Sequence, residues 1–204
     1  HLEANRTVGM VMLEEGPAET LDDLISLKIN SPVRIVRATE IMNHVRAKEG
    51  KEPLALTHAG FDQADYDAAR EELNGKQLYM YNHMGHKASD NILGRIEYMA
   101  VSLNCDVIIL DHVTALANSM LTDDNQNERI LIDNVMSNLE SLAERTGVRI
   151  HIVSQLKKSD KAHEEGSRGT IQDLKGAGSL ASVPDTVIML ERNRQDPDEI
   201  KANT

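Results

Sequence analysis

Three apolar runs in this chain end on residues able to handle a phosphate. "TVGMVML" (7–13) is followed by Glu14 and Glu15, and "DVIIL" (106–110) by Asp111 and His112. "RIHIVS" (149–154) is followed by Gln155, Leu156 and the basic pair Lys157 and Lys158. A carboxylate on a rigid strand end can hold Mg2+ through water, which is the role open to Asp111. A second carboxylate nearby, Glu14, can polarise the water that attacks a terminal phosphate. A neutral amide such as Gln155 can feel that phosphate and pass its state to the basic loop that follows. Each residue alone has a plainer reading: a strand-terminating turn for Asp111, an acidic helix start for Glu14 and Glu15, solvated surface for the lysines. Their joint occurrence at consecutive strand ends is what points to chemistry.

The runs themselves say how these residues are positioned. Together with "QLYMY" (77–81) and "TVIML" (186–190) they are short and apolar on both faces, which predicts central parallel strands covered by helices. Helical patterns lie between them. Leu21, Leu24, Ile25 and Leu27 fall near helical spacing over 18–29. Ile92, Ile96, Met99 and Leu103 form a stripe over 90–103, with Asp90 as N-cap. Leu131, Val135, Leu139 and Leu142 repeat over 127–147, where Gly147 can close the helix. Alternating strands and helices predict an α/β fold with a mostly parallel sheet, whose ligands bind beyond the carboxyl ends of the strands. The segment 31–76 is polar and interrupted by Pro32, Pro53 and Gly60, and reads as helices and loops peripheral to the sheet. The stretch 157–178 is charged and Gly-rich between two buried-strand patterns, a setting in which long loops are often functional.

The bulk numbers narrow the function classes. A chain of 204 residues, 40% hydrophobic and 27% charged, suits one globular domain. Aromatics make up 2%, so stacking on bases is not a main binding mode. The net charge of −11 confines any nucleic-acid contact to a local basic surface. Cys105 is the single cysteine and sits in an apolar run, which reads as a buried free thiol in a reducing compartment. With neither a membrane-length apolar stretch nor a signal peptide, the chain reads as soluble and intracellular.

An NTPase of this kind needs a glycine-rich loop, GxxxxGKS or GxxxxGKT, to cradle phosphates with backbone N–H groups. Neither Gly75-Lys76 nor "GSRGT" (166–170) fits it. Two options remain open at this point: the loop lies upstream of His1, or the chain is not an NTPase.

Four stretches carry a resemblance. "VGMVMLEEGPAET", "CDVIILDHVTAL", "IDNVMSNLESLAERTGV" and "SQLKKSDKAHEEGSRGTIQDLKGAGSLASVPDTVIMLERN" together resemble the helicase domain of phage replicative primase–helicases. That group belongs to the DnaB-type hexameric helicases and includes the mitochondrial helicase Twinkle. The likeness runs from Thr7 to Asn193 and is weakest over 31–76. It implies a RecA-like fold, a ring of six subunits, ATP with Mg2+ as cofactor, and single-stranded DNA in the central channel. Residue by residue, Glu14 matches the glutamate that activates water and Asp111 the Walker-B aspartate near Mg2+. Gln155 matches the phosphate sensor, where some phage members have His. Lys157 and Lys158 match the first DNA-binding loop (about 157–163). Lys175 and Gly176 match the second (about 168–179), where relatives often carry Arg.

The resemblance makes residues 1–204 a single partial RecA-like domain, lacking the phosphate loop, the arginine finger and the primase half. Such a piece is expected not to hydrolyse ATP usefully by itself. Lys157, Lys158, Lys161, Arg168 and Lys175 are offset by Asp160, Glu164, Glu165 and Asp173, so the grip on DNA per subunit should be modest and salt-sensitive. The alternatives are a RecA-type recombinase or another RecA-like ATPase, and a non-catalytic RecA-like module that binds DNA.

Overall fold

The computed structural model describes residues 1–55, 60–83, 91–121, 127–156, 170–174 and 178–190. Four parallel strands, β1 (Val8–Met12), β2 (Leu78–Met80), β3 (Val107–Asp111) and β4 (Arg149–Ile152), form one sheet in the order β2-β1-β3-β4. Seven helices accompany them among the described residues: α1 (Pro17–Ile29), α2 (Val33–Lys48), α3 (Gln63–Asn74), α4 (Ile92–Val101), α5 (Val113–Ser119), α6 (Glu128–Thr146) and α7 (Ser179–Ser182).

The central runs, β1 and β3, are buried on both faces as expected, whereas β2 and β4 lie at the ends of the sheet and keep alternate residues exposed. Side chains alternate along a strand, so Val11, Leu13, Ile108 and Leu110 point into a core shared with α4, α5 and α6. Val8, Met10 and Val107 point the other way, against Leu24 of α1 and Leu2. Each fully buried side chain of this size contributes about 1.5–3 kcal/mol. Gly9 faces the first core: a Cβ there would stand 3.0 Å from Met99 Sδ and 3.3 Å from Cys105 Sγ. The missing side chain is what lets α4 lie directly on β1. Cys105 is buried and free, as its apolar setting predicts.

Burial, together with the neighbouring Asp106, pushes the Cys105 thiol up to about 11. Near pH 8 that leaves a thiolate fraction on the order of 10²-fold below that of a free cysteine. Iodoacetamide should therefore label Cys105 at least that much more slowly in native than in urea-unfolded protein. Equal rates would place the thiol at the surface.

The helices follow their patterns, with two departures, and a third concerns a predicted strand. Gly147 closes α6 in the left-handed conformation at φ 73°, its N–H donating to Ala143 O, and Val135, Leu139 and Leu142 are buried with Ile132 and Met136. At the start of α4, Asp90 lies outside the described residues, and Asn91 is the cap, its side chain accepting from Gly94 N at 3.0 Å. Leu27 is 81% exposed. It lies some 240° around the helix from Leu21, whereas Leu21, Ile25 and Ile29 share the inward face.

The third departure is "TVIML". Residues 186–190 form no strand, and Ile188 and Leu190 are 80% and 89% exposed. An apolar run specifies burial but not a ladder partner. Among the described residues β4 is an edge strand. Beside it runs a groove of ≈ 630 Å³ lined by Met136, Leu139, Ile150, Ile152, Val183 and Thr186 among others.

The described residues of the polar segment 31–76 form two helices, α2 and α3, and the loops beside them. Helices α2 and α3 pack on α1 around Ile25, Val33, Tyr66 and Ala69. Arg37 lies over the Tyr66 ring, 4.3 Å from its centroid, and donates to Asp22 at 2.8 Å. The expectation of a periphery to the sheet is met by a small second core of its own.

Candidate functional site

The register of the sheet brings the chemistry together. Met12 of β1 is level with Asp111 of β3, and Leu110 with Ile152 of β4. Backbone pairing continues past the strands: Leu13 N donates to Asp111 O at 2.7 Å, Val153 N to Leu110 O at 2.9 Å and Val113 N to Val153 O at 3.1 Å. Three chain segments thus leave the sheet at one edge, carrying Glu14, Asp111 and Gln155.

The centre of this edge is His112, to which the sequence alone assigns no role. It is 6% exposed and caps α5, its Nδ1 accepting from Ala115 N at 3.1 Å. A ring nitrogen that accepts carries no proton, so the neutral imidazole holds its proton on Nε2. That nitrogen lies 3.0 Å from Glu14 Oε1, which accepts its proton, and 3.2 Å from Gln155 Nε2, where the amide oxygen would stand if the amide turned over. Glu14 and Gln155 therefore meet through one buried imidazole. The signal was present in the string "LDH", but a histidine after a strand says nothing about what lies 98 positions upstream.

The two adjacent glutamates have different surroundings. Glu15 is tied down: Arg34 donates to its Oε2 at 2.8 Å and Thr20 Oγ1 to its Oε1 at 2.9 Å. Arg34 also holds Asp23 at 2.6 Å, and these two acids hold its guanidinium proton more firmly than usual. The Glu14 side chain is 62% exposed, so water reaches it.

Asp111, half-buried at the end of β3, has its carboxyl raised above the usual range, chiefly by burial. His112 opposes the shift, while Glu14 and Glu15 add to it. A carboxylate that is desolvated and crowded by like charge is poised to take a cation. No group of three or more His, Cys, Asp or Glu side chains among the described residues could hold a metal alone. The donor set suits a hydrated Mg2+ that shares one carboxylate with substrate phosphates.

Beyond Gln155, Leu156 forms an antiparallel bridge with Leu174. Their chain neighbours are Lys157 and Lys175. Lys157, Lys158, Lys175 and Gly176 themselves lie outside the described residues, as do 161–169. Thr170 and Asp173 close a short 3-10 turn at Ile171–Asp173 just before the bridge, with Thr170 N donating to Asp173 Oδ2 at 2.7 Å.

Comparison with known proteins places this geometry. The family described as the DnaB-like helicase C terminal domain matches residues 24–204. A "DNA helicase/primase" of Enterobacteria phage T3 is 33% identical over 193 residues, covering 93% of this chain and 31% of the phage protein. Among solved structures, one described as an ATPase domain superposes with a TM-score of 0.64 at 18% identity, over 97% of this chain and 63% of that one. A structure described as a DnaB-like replicative helicase and its interactions with primase gives a TM-score of 0.59 at 17% identity, over 90% of this chain and 41% of that one. The sheet and its flanking helices are thus those of the RecA-like ATPase domain found in such helicases. By the extent of the family match, the chain belongs to the DnaB-like helicase C-terminal domain family.

Proposed function

We propose that this chain is the motor part of a replicative DNA helicase that couples ATP hydrolysis to movement along single-stranded DNA. One observation carries the reading: Glu14, Asp111 and Gln155 leave the sheet at a single edge, with the path from Gln155 running straight into the Leu156–Leu174 bridge. The chain spans about a third of the phage T3 relative, so the activity and partners belong to the full-length protein. The proposed partners are single-stranded DNA and five further copies in a homo-hexamer. The proposed setting is the cytoplasm of a bacterial or phage-infected cell.

In this reading Glu14 is the base that orients the attacking water, being exposed where Glu15 is held. Asp111 would hold Mg2+ through water, and the metal when bound would neutralise charge on the phosphates. Gln155 would report the state of the terminal phosphate to the loops at about 157–163 and 168–179 through the Leu156–Leu174 pair. Lys157, Lys158, Lys175 and Gly176 would contact the DNA backbone.

The test is unwinding of a forked duplex by the full-length protein with ATP and Mg2+. Strand exchange without unwinding would reassign it to the recombinases. Lys175→Ala should lower DNA-stimulated hydrolysis several-fold while leaving basal hydrolysis near wild type, and should flatten the salt dependence of DNA binding by about one phosphate contact. Equal loss of basal and stimulated rates would remove the second loop from the DNA interface.

A further inference from the structure

We propose that His112 is a positioning residue that couples the hydrolytic base to the phosphate sensor by offering a single proton to both. The proposal rests on the roles given above to Glu14 and Gln155. His112 is buried, and its ring is fixed at one end by the Ala115 N–H donated to Nδ1. Only Nε2 then carries a proton, and two side chains from two other strand ends stand within reach of it: Glu14 Oε1 accepts at 3.0 Å, and Gln155 Nε2 lies at 3.2 Å, a place its amide oxygen takes when the amide turns over.

One N–H cannot serve two acceptors at full strength. With the proton given to Glu14, the carboxylate is held over the sheet edge and Gln155 is free to turn its amide outward. With the Gln155 amide turned over so that its oxygen takes the proton, Glu14 is released toward solvent, into which its side chain already extends. The imidazole stays put in either arrangement, since its backbone partner and its burial do not change. His112 therefore converts a change at the strand end of β4, which leads into the Leu156–Leu174 bridge, into a change in how Glu14 is held. It touches neither water nor phosphate in this scheme; it acts through its two neighbours.

Two substitutions separate this role from that of a helix cap. Asparagine places an acceptor near Nδ1 and keeps the cap on α5, but is too short to reach Glu14 or Gln155. Glutamine places an N–H near Nε2 and loses the cap. In the full-length protein, His112→Asn should keep the wild-type Tm and KM for ATP while kcat falls roughly tenfold to a hundredfold, as for misplaced catalytic groups. His112→Gln should have a lower Tm and a kcat within about threefold of wild type at temperatures where it is folded, a loss small beside that misplacement penalty. A wild-type kcat in His112→Asn would overturn the proposal and leave His112 as a cap. So would a kcat in folded His112→Gln as low as in His112→Asn. Should His112→Asn fail to fold, His112→Gln against wild type decides, and a tenfold loss of kcat there counts against the coupling. Glu14→Gln serves as the reference. If it turns over normally, the assignment of the base fails and the coupling with it; if it is inactive while His112→Asn is normal, only the coupling fails.

Discussion

Glu14→Gln in the full-length protein should bind ATP as well as wild type and hydrolyse it about 10²–10⁴-fold more slowly, the usual range for loss of a general base. Glutamine has the size of glutamate and still presents an oxygen that can accept the proton of His112 Nε2 at the position Oε1 now occupies, 3.0 Å away. The substitution thus preserves the hydrogen bond and the shape, and removes the basicity and the charge. Glu15 cannot substitute without leaving Arg34 and Thr20, which hold both its oxygens at 2.8 and 2.9 Å. Glu15→Gln should accordingly cost less turnover than Glu14→Gln, its effect falling on how α1 is tied to α2 through Arg34. Titration with a fluorescent nucleotide and steady-state hydrolysis, measured on both variants, separate these outcomes. Normal turnover in Glu14→Gln would mean that the exposed carboxylate is not the base.

The second large effect is a trade at Asp111. Asp111→Asn should lower Mg2+-dependent hydrolysis by at least about a hundredfold, since metal-bound charge stabilisation is worth several kcal/mol. It should also make the nucleotide-free protein more stable at neutral pH. The sign follows from the direction of the shift. Asp111 has a higher pKa folded than unfolded, chiefly because burial penalises its ionised form, with Glu14 and Glu15 adding repulsion. The folded state therefore holds the proton more tightly. Below the unfolded value of about 4 both states are protonated and the residue is neutral in its effect. As pH rises through the unfolded and then the folded pKa, ionisation works against the fold, and above the folded pKa the destabilisation is complete. Asparagine does not ionise and escapes it. Melting temperatures of wild type and Asp111→Asn in EDTA, from about pH 4 to pH 8, should start together and diverge in favour of the variant. A variant less stable than wild type across that range would show that the carboxylate is satisfied in the free protein.

Local patterns of a few residues were enough for much of this molecule. Short apolar runs marked β1, β2, β3 and β4, but only β1 and β3 are central and buried on both faces; β2 and β4 lie at the ends of the sheet with alternate residues exposed. Helical stripes and a terminal glycine marked α6, because side-chain spacing and the left-handed cap are properties of the segment itself. The strand-end residues Glu14, Asp111 and Gln155 were visible for the same reason: each closes its own run. What depended on partners was not visible. "TVIML" has the letters of a strand, yet among the described residues it pairs with no neighbour, although β4 leaves an edge open beside it. The polar 31–76 segment hid a core because its few apolar residues meet only when α1, α2 and α3 pack together. Two adjacent glutamates are indistinguishable as text. It was α2, bringing Arg34 to Glu15 across 19 positions, and β3, bringing His112 to Glu14 across 98, that left Glu15 held at both oxygens and Glu14 held by one imidazole with its side chain open to water. Local sequence determined which residues stand at the ends of the strands; the register between strands, set by packing of distant segments, decided which of them touch.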